Sequence, residues 1–180
     1  MLTGASLRGG CIKKIFLFLF VLAVLIAGCK NPFSPSFDDG TGEGGALISD
    51  RKTVDGIFTN LQYAYTFKDT TIYGDMLTGD FIFSYRNYEL GFDDSWGRDE
   101  EMKVTNGLFQ NSQRLDLIWN NKIMSTEDSL TANIVRSFNL TITFNPTDIV
   151  RVDGRVNLSL RKDAVTNKWY ITKWIDESNY

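Results

Sequence analysis

The sequence predicts an α+β domain over residues 49–180: a curved antiparallel sheet wrapped around two to three N-terminal helices. Three observations carry that expectation. Apolar residues between Val54 and Tyr65 recur with the period of a helix. Those between Leu115 and Leu160 recur with a period of two. The helical stretch comes first and does not alternate with the strands. About 130 residues are enough for one domain with a single core.

Taken in order, Val54, Ile57, Phe58, Leu61 and Tyr65 fall at i, i+3, i+4, i+7 and i+11, one face of an amphipathic helix. Thr53 is placed to cap it, and Asp55 suits its first turn. Lys68-Asp69 breaks this helix. Asp69 or Thr70 can start a second, shorter one that turns Ile72, Tyr73, Met76 and Leu77 inward. Thr78-Gly79-Asp80 ends it, and Phe81 to Tyr85 reads as a strand. A third helix is expected to begin in the run Asp93 to Glu101, where acids crowd the positive end of the dipole and Asp94 or Ser95 can cap. Met102, Leu108 and Phe109 supply its apolar side, and Gly107 marks its loosening. Five acids close in sequence suit a metal less well than a solvated helix start, since the chain has no histidine. No metal and no cofactor are expected.

After Asn111 the period changes. Leu115, Leu117 and Trp119 alternate with polar residues, as do Phe138, Leu140, Ile142 and Phe144, and then Val150, Val152, Val156, Leu158 and Leu160. Long antiparallel strands with one face buried and one wet have this pattern. Asn145 to Asp148 and Asp163 to Asn167 are the reversals. In the last strand Trp169 and Ile171 share a face, while Trp174 has the opposite parity. That requires either a bulge near Thr172-Lys173 or a strand that covers the core on both sides.

The first 48 residues are of another kind. Arg8, Lys13 and Lys14 form a basic n-region, and Ile15 to Ala27 is an unbroken apolar run too short to span a bilayer. Residues 1–28 thus have the layout of a secretory signal; a short retained anchor helix is the alternative. Leu25-Ile26-Ala27-Gly28-Cys29 resembles a bacterial lipobox, with cleavage between Gly28 and Cys29. The resemblance implies a diacylglyceryl thioether on the Cys29 sulfur and, in many bacteria, a further acyl group on its amine. At about 0.8 kcal/mol per buried methylene, two or three chains anchor a protein durably in the bilayer. Lys30 after the cysteine points to the periplasmic face of the outer membrane in a Gram-negative cell. Residues 29–48, rich in Gly, Pro, Ser and acid, read as a flexible tether with a reach of roughly 25 Å.

Cysteine and charge counts fit export. Cys11 leaves with the signal and Cys29 is consumed by lipid, so the mature domain has no disulfide to staple it. Loss of Arg8, Lys13 and Lys14 lowers the basic count from 19 to 16 against 22 acids, leaving a net charge near −6. Nucleic acid is not expected as a partner, because binding it calls for clustered Lys and Arg.

Leu61 to Tyr65, Lys68-Asp69, Tyr73 to Leu77 and Asp80 to Phe83 resemble the opening of a nuclear transport factor 2-like (SnoaL-like) domain. Gly154 to Leu160, Trp169 to Ile171 and Trp174 to Asp176 resemble its end. The likeness runs in family order over residues 50 to 177. It implies a cone whose open end is a pocket between helices and sheet. Isomerase-type members use a tyrosine on the first helix and an aspartate on the first strand; here those positions fall at or beside Leu61 and at Ser84 or Tyr85. Dehydratase-type members rely on histidine, which this chain lacks, and an acid–base reaction near neutral pH loses its easiest proton shuttle.

Asp80 is the carboxylate expected nearest the pocket, and Tyr63, Tyr65, Tyr73, Tyr85 and Trp119 are candidates for its wall; core packing accounts for the same aromatics. No catalytic residue is assigned. The expected function is a lipid-anchored, non-catalytic module that binds a small apolar ligand or a protein partner. The alternatives are an isomerase-, cyclase- or dehydratase-type enzyme and a structural envelope protein. A dimer through the outer sheet face, with Thr141, Thr143, Arg155, Asn157, Ser159 and Arg161, would be polar and weak.

Overall fold

The computed structural model describes residues 48–87 and 91–178. The expected signal segment, the expected lipobox with Gly28 and Cys29, and residues 29–47 of the expected tether lie outside the described residues. Helix α1 spans Val54–Phe67 and α2 Thr70–Met76; strands β1 and β2 span Leu77–Asn87 and Phe92–Gly97. Helix α3 covers Arg98–Asn111, followed by β3 (Arg114–Glu127), β4 (Thr131–Asn145), β5 (Asp148–Lys162) and β6 (Trp169–Asp176). The six strands form one sheet in the order β2-β1-β6-β5-β4-β3.

Helix α1 forms for the reasons its sequence suggests. The Thr53 hydroxyl accepts from Gly56 N–H, and Val54, Ile57, Phe58 and Leu61 bury one face. Lys68 ends it in the left-handed region, φ 56°, returning its N–H to the Ala64 and Tyr65 carbonyls. Asp69 then caps α2 through the N–H groups of Thr71 and Ile72. Trp119 of β3 fixes α1 on the sheet: its ring meets Phe58 edge to face at 5.0 Å, and its Nε1–H donates to the Phe58 carbonyl at 2.9 Å. The core fills the space between these helices and the inner sheet face, with Phe58, Leu61, Tyr73, Phe81, Leu158, Trp169 and Ile171 almost wholly buried.

The architecture departs from the sequence reading in four places. The third helix begins at Arg98 with Gly97 as its N-cap and no side-chain cap, not at Asp94 or Ser95. Residues Phe92–Gly97 are instead an edge strand, because pairing with β1 outweighs their helix-start composition. Gly107 does not loosen α3, which runs on to Asn111. Thr78 to Asp80 already belong to β1, since α2 stops at Met76 and the chain extends directly into the sheet. Finally, the sheet holds one parallel pair, β1 with β6, because the last strand returns between β1 and β5.

The parity problem of β6 is solved by a bulge. Ser159 pairs with Lys173 and Leu160 with Ile171, so Thr172 is the extra residue and its hydroxyl donates to the Ser159 carbonyl at 3.0 Å. Trp169, Ile171 and Trp174 therefore all bury toward one side.

Candidate functional site

Strand register builds the site. Across β2, β1 and β6, Trp96, Phe83 and Trp174 stand opposite one another in a single row. Two residues further along β1, the next row is Asp94, Tyr85 and Asp176. A period of two puts both rows on the inner face. Phe83 and Trp96 stack at 4.6 Å between centroids and 16° between planes, with Trp174 at 6.2 Å from Phe83 and Tyr85 at 5.5 Å from Trp96.

Apart from Asp94, these rows wall one end of a cavity of about 430 Å³. Leu117 and Trp119 of β3, Phe138, Leu140 and Ile142 of β4, and Val152 and Val156 of β5 form its sheet side. Helix α3 covers it with Glu101, Val104, Thr105 and Leu108, and Tyr65 closes in from α1. Asp176 and Ser178 complete the lining at the C-terminal end. Ser178 reaches this position because residue 154 is glycine: a Cβ there would stand 2.5 Å from the Ser178 hydroxyl. The tail is held by Glu177 N–H to the Arg155 carbonyl at 2.9 Å and by the Ser178 N–H and hydroxyl, both donating to Asp176 Oδ1.

Glu101 is the buried carboxylate of the site, 4% exposed. Three donors converge on it. Tyr73 Oη donates to Oε1 at 2.6 Å, Thr105 Oγ1 donates to the same oxygen at 3.0 Å, and Trp96 Nε1 donates to Oε2 at 2.6 Å. Burial raises the Tyr73 phenol well above its ordinary range, and the neighbouring Tyr65 and Glu101 push the same way, so it remains a donor to Glu101. Helix α3 carries Asp99, Glu100 and Glu101 in its first turn, where the dipole favours them. Glu100 turns out to Lys103 at 3.0 Å; Glu101 turns in.

The residues singled out from sequence divide. Tyr65, Tyr85 and Trp119 line the cavity. Tyr73 lies fully buried behind Glu101. Tyr63 packs on Phe67 at 4.5 Å and does not belong to the described lining. Asp80 lies outside the cavity, exposed and ion-paired to Arg161 at 3.1 Å. Its carboxyl is held below the ordinary range, first by hydrogen bonding from Thr78 and then by the Arg161 guanidinium. Leu61, at the family's tyrosine position, is sealed in the core. Sequence reasoning missed Glu101, Asp176, Trp96 and Trp174 as site residues. For Glu101 a signal existed: Phe109, Thr105 and Glu101 are spaced at i, i−4 and i−8 on α3, and all three are buried. Among the described residues, no group of three or more acidic, cysteine or histidine side chains is arranged to hold a metal ion.

No protein-family model matches the sequence, and no curated protein matches it. Solved structures do. A conserved protein from Planctomyces limnophilus superposes with a TM-score of 0.62 at 10% identity, covering 70% of this chain and 93% of its own. A scytalone dehydratase candidate from Novosphingobium aromaticivorans gives 0.60 at 12% identity, with 71% and 82% covered. A dehydratase candidate of the nuclear transport factor 2-like family from Streptomyces avermitilis gives 0.58 at 14% identity, with 73% and 96% covered. The chain therefore has the nuclear transport factor 2-like cone fold, three helices against a curved six-stranded sheet. Identities this low speak to fold and leave activity to the site itself.

Proposed function

We propose that this protein is a lipid-anchored envelope component whose cone binds a small, largely apolar molecule without chemically changing it. One observation carries the reading: an apolar, aromatic-walled cavity of about 430 Å³ whose buried carboxylate is already engaged by three protein donors. A cavity of this size and lining suits small-ligand recognition. An ionised carboxylate offers roughly four acceptor directions, and three of those on Glu101 are taken. Those three bonds fix its side chain between α2, β2 and α3. The anchor is Cys29, lipidated on its sulfur before cleavage between Gly28 and Cys29, with the bilayer as its permanent partner and the periplasmic face of the outer membrane as the favoured location.

A second reading, an isomerase-, cyclase- or dehydratase-type enzyme, is favoured by one feature: Glu101, Asp176, Tyr65 and Tyr85 all line the same cavity. The dehydratase candidates among the structural neighbours are consistent with it. A purely structural envelope role fits poorly with an open cavity.

Native mass spectrometry of the protein extracted from its own membrane tests the first reading. An unmodified small molecule retained at one per chain, and displaced when Leu140→Trp fills the cavity, is the expected result. Release of a chemically altered product from an added candidate ligand would favour the enzyme instead.

A further inference from the structure

We propose that the molecule held in the cone carries a positive charge: an amine or quaternary ammonium group on an apolar body. This rests on the binding reading above and names the chemical class of the ligand. The cavity lining contains two carboxylates, Glu101 and Asp176, and among the described residues that form it there is no lysine or arginine. Two arginines near α1 and α3 have other partners. Arg136 lies over the Phe58 and Trp119 rings and pairs with Asp55, and Arg98 donates to the Gly74 carbonyl.

The carboxylates stand beside aromatic residues: Glu101 accepts from the N–H edge of Trp96, and Asp176 is the cross-strand neighbour of Tyr85. Trp96, Phe83 and Trp174 form the inner row, with Tyr85 and Asp176 adjacent in the next row toward the strand ends. Asp94, hydrogen-bonded by Tyr85 at 3.4 Å, adds a third negative charge beside that row. Aromatic rings attract cations through the negative potential of their faces, and the attraction strengthens where water is excluded. A ring cluster flanked by carboxylates offers both terms to an ammonium and opposes an anion. Glu101 Oε2 accepts from Trp96, whereas Oε1 accepts from two donors, so Oε2 retains an acceptor direction for a ligand N–H. The indole N–H of Trp174 is buried and has no hydrogen-bond partner among the described residues, so it can also donate to a ligand oxygen. The remaining walls, Leu117, Leu140, Ile142 and Val152, would take the apolar body.

Calorimetry on the full lipidated chain in zwitterionic nanodiscs, with empty discs as reference, tests this using three probes of one shape class: (2-naphthylmethyl)trimethylammonium, 2-naphthylmethanol and 2-naphthalenesulfonate. The cation is expected to bind at least tenfold more tightly than the alcohol, and the sulfonate more weakly than either. Asp176→Asn, which keeps an acceptor for Ser178, is expected to weaken the cation severalfold and the alcohol by clearly less. Equal or tighter binding of the alcohol or sulfonate overturns the charge assignment while leaving the apolar binding site in place. Binding of none of the three overturns both.

Discussion

Trp96 donates its indole N–H to Glu101 at 2.6 Å across the junction where an edge strand becomes a helix. The two residues are five apart in sequence, yet the bond ties the aromatic row of the sheet to the helix that roofs the cavity. Tyr73 from α2 and Thr105 one turn along α3 complete the arrangement, so three elements meet at one carboxylate. Buried polar groups of this kind are costly to leave unmatched, at about 1–3 kcal/mol for each orphaned partner. Glu101→Gln sets an amide N–H₂ against these donors and is expected to lower stability by about 2–4 kcal/mol. Urea denaturation followed by tryptophan fluorescence measures it. A change under half a kilocalorie would mean that the network contributes little.

Gly154 and Ser178 make a second contact on which the cavity depends. Gly154→Ala places a methyl group 2.6 Å from the Ser178 Cα, so the tail must move, and overpacking of this sort costs about 1–3 kcal/mol. The Glu177 amide, which donates to the Arg155 carbonyl, should then lose hydrogen-exchange protection while the β4–β5 amides keep theirs. Unchanged protection at Glu177 would show that the tail accommodates the methyl in place.

Much of the fold was legible because it is written in periods. The 3.6 spacing of Val54 to Leu61 and the alternation through β3, β4 and β5 state which faces are buried. The parity break at Trp174 announced the Thr172 bulge. The start of α3 was not legible, since the strand character of Phe92–Gly97 comes from pairing with β1, a contact that local composition cannot express. Site residues followed the same division. Asp80 precedes inward Phe81, so alternation alone sends it outside, where Arg161 meets it. The neighbourhood of Asp176 and Tyr85 is invisible until β6 is known to lie beside β1.

Asp80→Asn follows from that placement. The pair with Arg161 is solvent-exposed at both ends, and such pairs contribute little to stability. Midpoints of urea denaturation for the two proteins should nearly coincide, and affinity for any cavity ligand should be unchanged. A variant that keeps its fold but loses ligand binding or a turnover would return Asp80 to the site.

The proposed anchor is tested by Cys29→Ala, which removes the sulfur expected to take the lipid. Metabolic labelling with a fatty-acid analogue should vanish, and the chain should accumulate as a precursor that retains residues 1–28, seen as a mass shift. Normal processing and labelling in the variant would remove the lipoprotein reading.

Tyr73 gives a prediction in pH. Its phenol is raised well above the ordinary value of about 10 by burial, aided by Tyr65 and Glu101, whereas in the unfolded chain it titrates near that ordinary value. Between the two values the folded state holds a proton that the unfolded state has lost. Stability from this group is therefore complete below about pH 10 and drains away as pH rises toward the folded-state value. Tyr73→Phe loses the hydrogen bond to the Glu101 carboxylate, about 1.5–3 kcal/mol near neutrality, but it has no phenol to ionise. The two proteins should thus differ most at pH 7 to 9 and converge as pH climbs past 10, in urea titrations run at each pH. Were the gap to stay flat or widen up to pH 11, Tyr73 would not be the sealed, protonated donor to Glu101 that the geometry describes.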